Sequence, residues 1–108
     1  MRHSTYKCNN GCPVEATLEI IGGKWKGVIL YHLMERTYRF GELKRVMPGV
    51  TQRMLTKQLR ELETDGIIHR KVYAEVPPKV EYSLTDVGES LRDDMMMMRE
   101  WGRTHFGL

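Results

Sequence analysis

The sequence predicts a mainly α-helical single domain with one small β-wing, on three observations. Apolar residues recur at helical spacing through most of the 108 residues. Residues 67–84 break that spacing, with Val, Ile and Tyr gathered around the pair Pro77-Pro78. Between them, Thr51 and Gly66 bracket a segment with leucines on one side and bases on the other.

Taken in order, Pro13 suits a first helical turn, where its missing N–H has no partner to lose. Val14, Leu18 and Ile21 then share a face, and Gly22-Gly23 stops the helix. A second helix is expected over 24–35, with Trp25, Val28, Ile29 and Leu33 as its core stripe. Tyr38-Arg39-Phe40 reads as a short extended piece. Residues 41–47 form a helix of about two turns, with Phe40, Leu43 and Met47 on one side, and Pro48-Gly49 ends it.

Thr51 caps the next helix, which runs to Asp65 and stops at Gly66. Leu55, Leu59 and Leu62 form its buried ridge at i, i+4 and i+7. At 100° per residue, Arg53, Lys57 and Arg60 lie within about 40° of the opposite direction, and Thr56 flanks them. Strands are expected over 67–74 and 80–84, joined by the tip Glu75-Val76-Pro77-Pro78-Lys79, whose prolines stop the pairing. One last helix, capped by Thr85 and reaching about residue 105, carries the apolar seam Leu84, Val87, Leu91, Met95, Met98 and Trp101. There are no internal repeats and no linker. The expected organisation is a flexible lead-in over 1–11 and one domain over 12–108. Within that domain, 41–66 is a helix-turn-helix, 67–84 a wing and 85–105 a dimerisation helix.

Net charge is only +3, but it is unevenly placed. Residues 36–60 hold seven bases and one acid, whereas residues 81–108 hold six acids and three bases. A basic middle and an acidic end suit an anion-binding face and a second face with another task. No run is long and apolar enough for a membrane span, and the polar N-terminus leads to no signal core, so a cytoplasmic location is expected. Two cysteines, Cys8 and Cys12, are too few for a secreted disulfide scaffold. No glycine-rich phosphate loop, serine elbow or paired-carboxylate signature is present, so no enzymatic activity and no cofactor are expected. His3, Cys8 and Cys12 lie near one another but fall short of the four ligands a zinc site usually takes, and no metal is assigned.

Several stretches carry a family resemblance. They are Cys12-Pro13-Val14, Ile20-Ile21-Gly22-Gly23-Lys24-Trp25, Arg39-Phe40-Gly41-Glu42-Leu43, Thr51-Gln52-Arg53-Met54-Leu55-Thr56, Leu59-Arg60-Glu61-Leu62-Glu63 and Pro77-Pro78-Lys79-Val80-Glu81-Tyr82-Ser83-Leu84-Thr85. In that order they resemble the HxlR-type branch of winged helix-turn-helix regulators, related to the MarR-like proteins. The resemblance implies a homodimer formed through the N- and C-terminal helices, with paired recognition helices in successive major grooves of an operator. It also implies that the cysteine before the proline, here Cys12, senses oxidants or electrophiles. Some such sensors carry a second cysteine near the helix-turn-helix for an intersubunit disulfide; no cysteine follows Cys12 here.

The expected function is therefore sequence-specific binding of double-stranded DNA by a homodimer, on a palindromic operator, with an oxidant or small-molecule inducer. The alternative is a winged-helix module that binds protein or RNA without duplex-DNA specificity. Gln52, Arg53, Thr56 and Lys57 are assigned to base edges or the groove floor, because the start of a recognition helix reaches deepest. Thr51 and Arg60 are assigned to phosphates. Lys44 and Arg45 from the preceding helix are assigned to a phosphate strand, and Arg70, Lys71 and Lys79 from the wing to the flanking backbone or the minor groove. Cys12 begins a helix, where free amides and the dipole favour an anionic sulfur, and Cys8 could resolve its oxidised form or pair across the dimer. The competing reading of Cys12 is a small structural residue. Val14, Leu18, Leu91, Met95, Met98 and Trp101 are assigned to the dimer interface, with burial of Met95 and Met98 in the subunit's own core as the competing reading.

Overall fold

The structure is a computed structural model that describes residues 11–108. His3, Cys8 and nearly all of the expected lead-in lie outside the described residues.

Helix α1 (Pro13–Ile21) starts at the proline, with Cys12 in extended conformation before it. It ends at Gly22, whose N–H donates to the Leu18 carbonyl at 2.6 Å. A Cβ at Gly22 would stand 2.1 Å from that oxygen, so no other residue allows this stop.

Helix α2 (Lys26–Glu35) begins later than its expected start, leaving Lys24 in the turn and Trp25 as the residue before the helix. Its buried side is Lys26, Ile29, Leu30, Leu33 and Met34. Val28, expected in the stripe, is 40% exposed, and Trp25 is only half-buried. The shift has a physical cause: the core accepts the Lys26 stem because its ammonium meets Glu61 at 2.6 Å.

Strand β1 (Tyr38–Arg39) is followed directly by α3 (Phe40–Val46), so Phe40 is helical and not extended. Glu42 sets this start, since its carboxylate accepts the Arg39 backbone N–H at 2.8 Å. Met47 and Val50 are buried in the turn that leads to α4 (Gln52–Thr64). The Thr51 hydroxyl accepts from the Met54 N–H at 3.1 Å, and Leu55, Leu59 and Leu62 face the core, as their spacing predicts.

Strands β2 (Ile68–Tyr73) and β3 (Lys79–Leu84) form the wing, and β1 adds to the free edge of β3, giving an antiparallel sheet ordered β1-β3-β2. The register runs from Ile68 opposite Leu84 to Tyr73 opposite Lys79, and Tyr38 stands opposite Tyr82. Ile67 and Ala74 fall outside the strands, and Lys79 belongs to β3, not to the tip.

The expected single last helix is two helices, α5 (Asp86–Glu89) and α6 (Arg92–Phe106). Thr85 caps α5, accepting from the Gly88 N–H while donating to the Gly66 carbonyl. A Cβ at Gly88 would lie 2.3 Å from the Ile67 carbonyl oxygen, so the glycine lets α5 sit against the wing base. At Leu91 the N–H turns to the carbonyl three residues back, and the Ser90 hydroxyl takes the Val87 carbonyl. Arg92 then anchors the new direction, donating to Glu89 and to the Met34 carbonyl at the end of α2.

Candidate nucleic-acid interface

The leucine ridge of α4 is buried, so the opposite side of the helix faces out. Arg53, Lys57 and Arg60 are all exposed there, and among the described residues no ion pair engages any of them. With Gln52, Thr56 and Glu61 they line one shallow recess along the helix. Thr51 is exposed at the cap, with its oxygen used on Met54. Thr56 spends its hydroxyl proton on the Gln52 carbonyl at 2.8 Å. What Thr56 can still offer a base is a lone pair or its methyl group.

From α3, Lys44 and Arg45 are exposed, and Arg45 bends back so that its Nε donates to the Gly41 carbonyl at 3.3 Å. Strand alternation divides the wing cations, which the sequence reading took as one group. Arg70 lies on the sheet face toward α4, in a crevice with Thr56, Leu59, Arg60, Glu63 and Tyr82. Lys71 and Lys79 lie on the other face, each with its ammonium over the Tyr73 ring, at 4.9 and 4.5 Å. Lys79 also stands 3.6 Å from Glu81. A hydrogen bond from Tyr73, helped by Lys79 and Arg39 nearby, holds the Glu81 carboxyl below the usual glutamate range against the opposing effect of desolvation. Among the wing cations, the structure thus brings Arg70 to α4, whereas Lys71 and Lys79 belong to an outer cluster.

The sequence reading missed Glu61, Glu63 and Tyr82 as neighbours of the basic face, and Lys26 beneath it. For Tyr82 a signal was present, since in β3 it shares a parity with Val80 and Leu84. For Lys26 there was none, because a lysine between apolar positions reads as solvent-facing.

The second face is apolar. Val14 and Leu18 of α1 and Met98 of α6 are exposed along a groove that also includes Pro13, Ile21 and Met97. Trp101 is exposed further along α6, with its ring stacked on His105 at 4.2 Å. Of the residues assigned to a subunit interface, Met95 follows its competing reading. Met95 is 6% exposed and packs within the subunit, its methyl beside Gly27 of α2. Leu91 is half-buried against the same core. Cys12 is exposed before α1, and its side chain makes no capping bond.

A family model described as HxlR-like helix-turn-helix matches residues 20–107. The chain belongs to that family. Its relatives include YybR, an HTH-type transcriptional regulator of Bacillus subtilis (strain 168) that is 55% identical over 104 residues, 96% of this chain and 83% of that protein. Among solved structures, the redox regulator HypR in its oxidised form superposes with a TM-score of 0.84 at 58% identity, covering 87% of this chain and 97% of that one. The reduced form of YodB from B. subtilis follows with a TM-score of 0.76 at 36% identity, covering 87% and 93%. The HxlR-like chain is thus a winged helix-turn-helix transcription regulator, a DNA-binding and non-enzymatic class. Among the described residues no helix is long and apolar enough to cross a membrane.

Proposed function

We propose that this HxlR-like protein binds a palindromic DNA operator as a homodimer and that oxidation of Cys12 alters that binding. The observation that carries the reading is the exposed cationic side of α4, opposite a fully buried leucine ridge. A helix fits the major groove, and dimers present two such helices about one DNA turn apart. In this reading Arg53, Gln52, Thr56 and Lys57 contact base edges or the groove floor. Thr51, Arg60, Lys44, Arg45 and Arg70 hold the phosphate strands, and Lys71 and Lys79 reach backbone only on the outer side of the wing.

The exposed apolar residues Val14, Leu18, Met98 and Trp101 support pairing through α1 and α6. Leu91 and Met95 back that surface from inside. For Cys12, support comes from its exposure at the start of α1, a helix of the same surface, and from the similarity to HypR, a redox regulator.

Selection of bound duplexes from a random pool, under reducing and then oxidising conditions, tests the reading. The expected product is a two-fold symmetric site with half-sites about one helical turn apart. Peroxide is expected to change its affinity in the wild type and not in Cys12→Ser. An asymmetric or sequence-blind pool, or better competition by double-stranded RNA, would reject the DNA reading. Equal affinity before and after oxidation would reject the sensor.

A further inference from the structure

Beneath the basic face lies an ion pair that stability alone does not account for. Lys26 belongs to the core-facing side of α2 and is 7% exposed. Its Nζ stands 2.6 Å from Glu61 Oε1, on α4. Lys26 is buried while Glu61 keeps 28% of its side chain exposed, and an apolar residue of similar size at a buried charged position is often neutral or stabilising, so fold energy does not explain a lysine here.

Glu61 is the one acid lining the recess formed by Gln52, Arg53, Thr56, Lys57 and Arg60. It lies one helical turn beyond Lys57, a spacing at which a carboxylate and an ammonium meet on a helix surface. Yet Lys57 makes no ion pair among the described residues, and the Glu61 oxygen is directed to α2.

We infer that Lys26 is a positioning residue for DNA recognition, drawing the Glu61 carboxylate inward so that Lys57 and Arg60 stay available to phosphate. The negative charge is compensated from below, where DNA does not reach. Without Lys26 that compensation from α2 is lost, and the Glu61 charge acts more strongly on Lys57 and Arg60, weakening the cations of the DNA face and leaving more negative charge near the phosphates. The inference rests on the reading of α4 as the DNA-contacting helix.

The test is duplex binding, on the selected operator, by wild type, Lys26→Met, Glu61→Gln and the double variant, as a function of salt. Methionine keeps the volume of the lysine stem, and circular dichroism checks the fold. K26M is expected to bind about tenfold more weakly at low salt, with a salt slope lower by about one. Adding E61Q is expected to restore both, which loss of packing alone would not allow. Wild-type binding by K26M, or a loss that E61Q does not repair, overturns the inference while leaving the DNA reading intact. A wild type with no duplex affinity overturns both. Should K26M fail to fold, E61Q alone decides: a slope at least as steep as wild type supports the inference, and a shallower one overturns it.

Discussion

Helices α4 and α6 are the two longest among the described residues, at 13 and 15 residues, and they treat their apolar sides in opposite ways. In α4 all three ridge leucines are buried within the subunit, and what remains outside is polar and cationic. In α6 only Met95 is buried, while Met97 is 71% and Trp101 59% exposed. A helix whose burial is complete can offer charge and hydrogen bonds to a polar partner. A helix whose burial is incomplete keeps an apolar surface that water disfavours by roughly 25 cal/mol per Å². The contrast locates two tasks on two sides of one small domain.

The largest effects should separate the two helices by what each apolar residue supports. Leu55→Ala on α4 and Met95→Ala on α6 are both expected to lower subunit stability by about 2–5 kcal/mol in urea unfolding. Trp101→Ala is expected to leave the subunit fold alone and weaken self-association by about 2 kcal/mol, measured by sedimentation. If Trp101→Ala destabilised the isolated subunit as strongly as Leu55→Ala, the α6 surface would be core and the contrast would fail.

On the cationic side the expected effects are smaller and concern recognition. Arg53→Ala should cost about 1–3 kcal/mol in operator affinity and loosen choice at one base pair per half-site. Lys71→Ala, on the outer face of the wing, should leave base preference unchanged and alter only the salt dependence. Binding selections with both variants check this pair. Unchanged preference in Arg53→Ala would move base reading elsewhere on α4.

Much of this architecture is legible from the sequence because its signals are local. The Thr51 cap and the leucines at positions 55, 59 and 62 define α4 without reference to the rest of the chain. The family resemblance read from the sequence agrees with the matched model over residues 20–107. What was not legible depends on contacts between distant segments. Lys26 becomes a core position only because Glu61 meets it across the α2–α4 contact. Met95 becomes a core position because α6 packs back on α2, which sets its methyl beside Gly27. The seam from Leu84 to Trp101 keeps helical spacing across the break at Ser90 and Leu91. Periodicity therefore hides a break made by one shortened hydrogen bond and a serine hydroxyl. The division of Arg70 from Lys71 follows from strand parity, a local signal that the charge count alone obscured.

The smallest effect concerns how the helix pair behind the cationic side is started, and it depends on pH. Glu42 accepts the Arg39 backbone N–H at 2.8 Å, and Arg36 lies 3.5 Å from the same oxygen. The backbone hydrogen bond first, helped by the Arg36 and Arg39 charges, holds the Glu42 carboxyl below its ordinary range against the opposing effect of desolvation. A carboxylate depressed in the folded state favours folding above its unfolded pKa, near 4.3, and that contribution disappears as pH falls through the lower folded value. Glu42→Gln should therefore flatten the fall of stability on acidification below about pH 4.3 while lowering stability slightly at neutral pH. Urea midpoints of both proteins at neutral and acidic pH measure it. Helix α6 starts at Leu91 with no side-chain cap, so it has no matching hook, and the acid sensitivity removed by Glu42→Gln belongs to the α3–α4 side. If the two proteins lost stability in parallel on acidification, the Glu42 carboxylate would not be what fixes the start of α3.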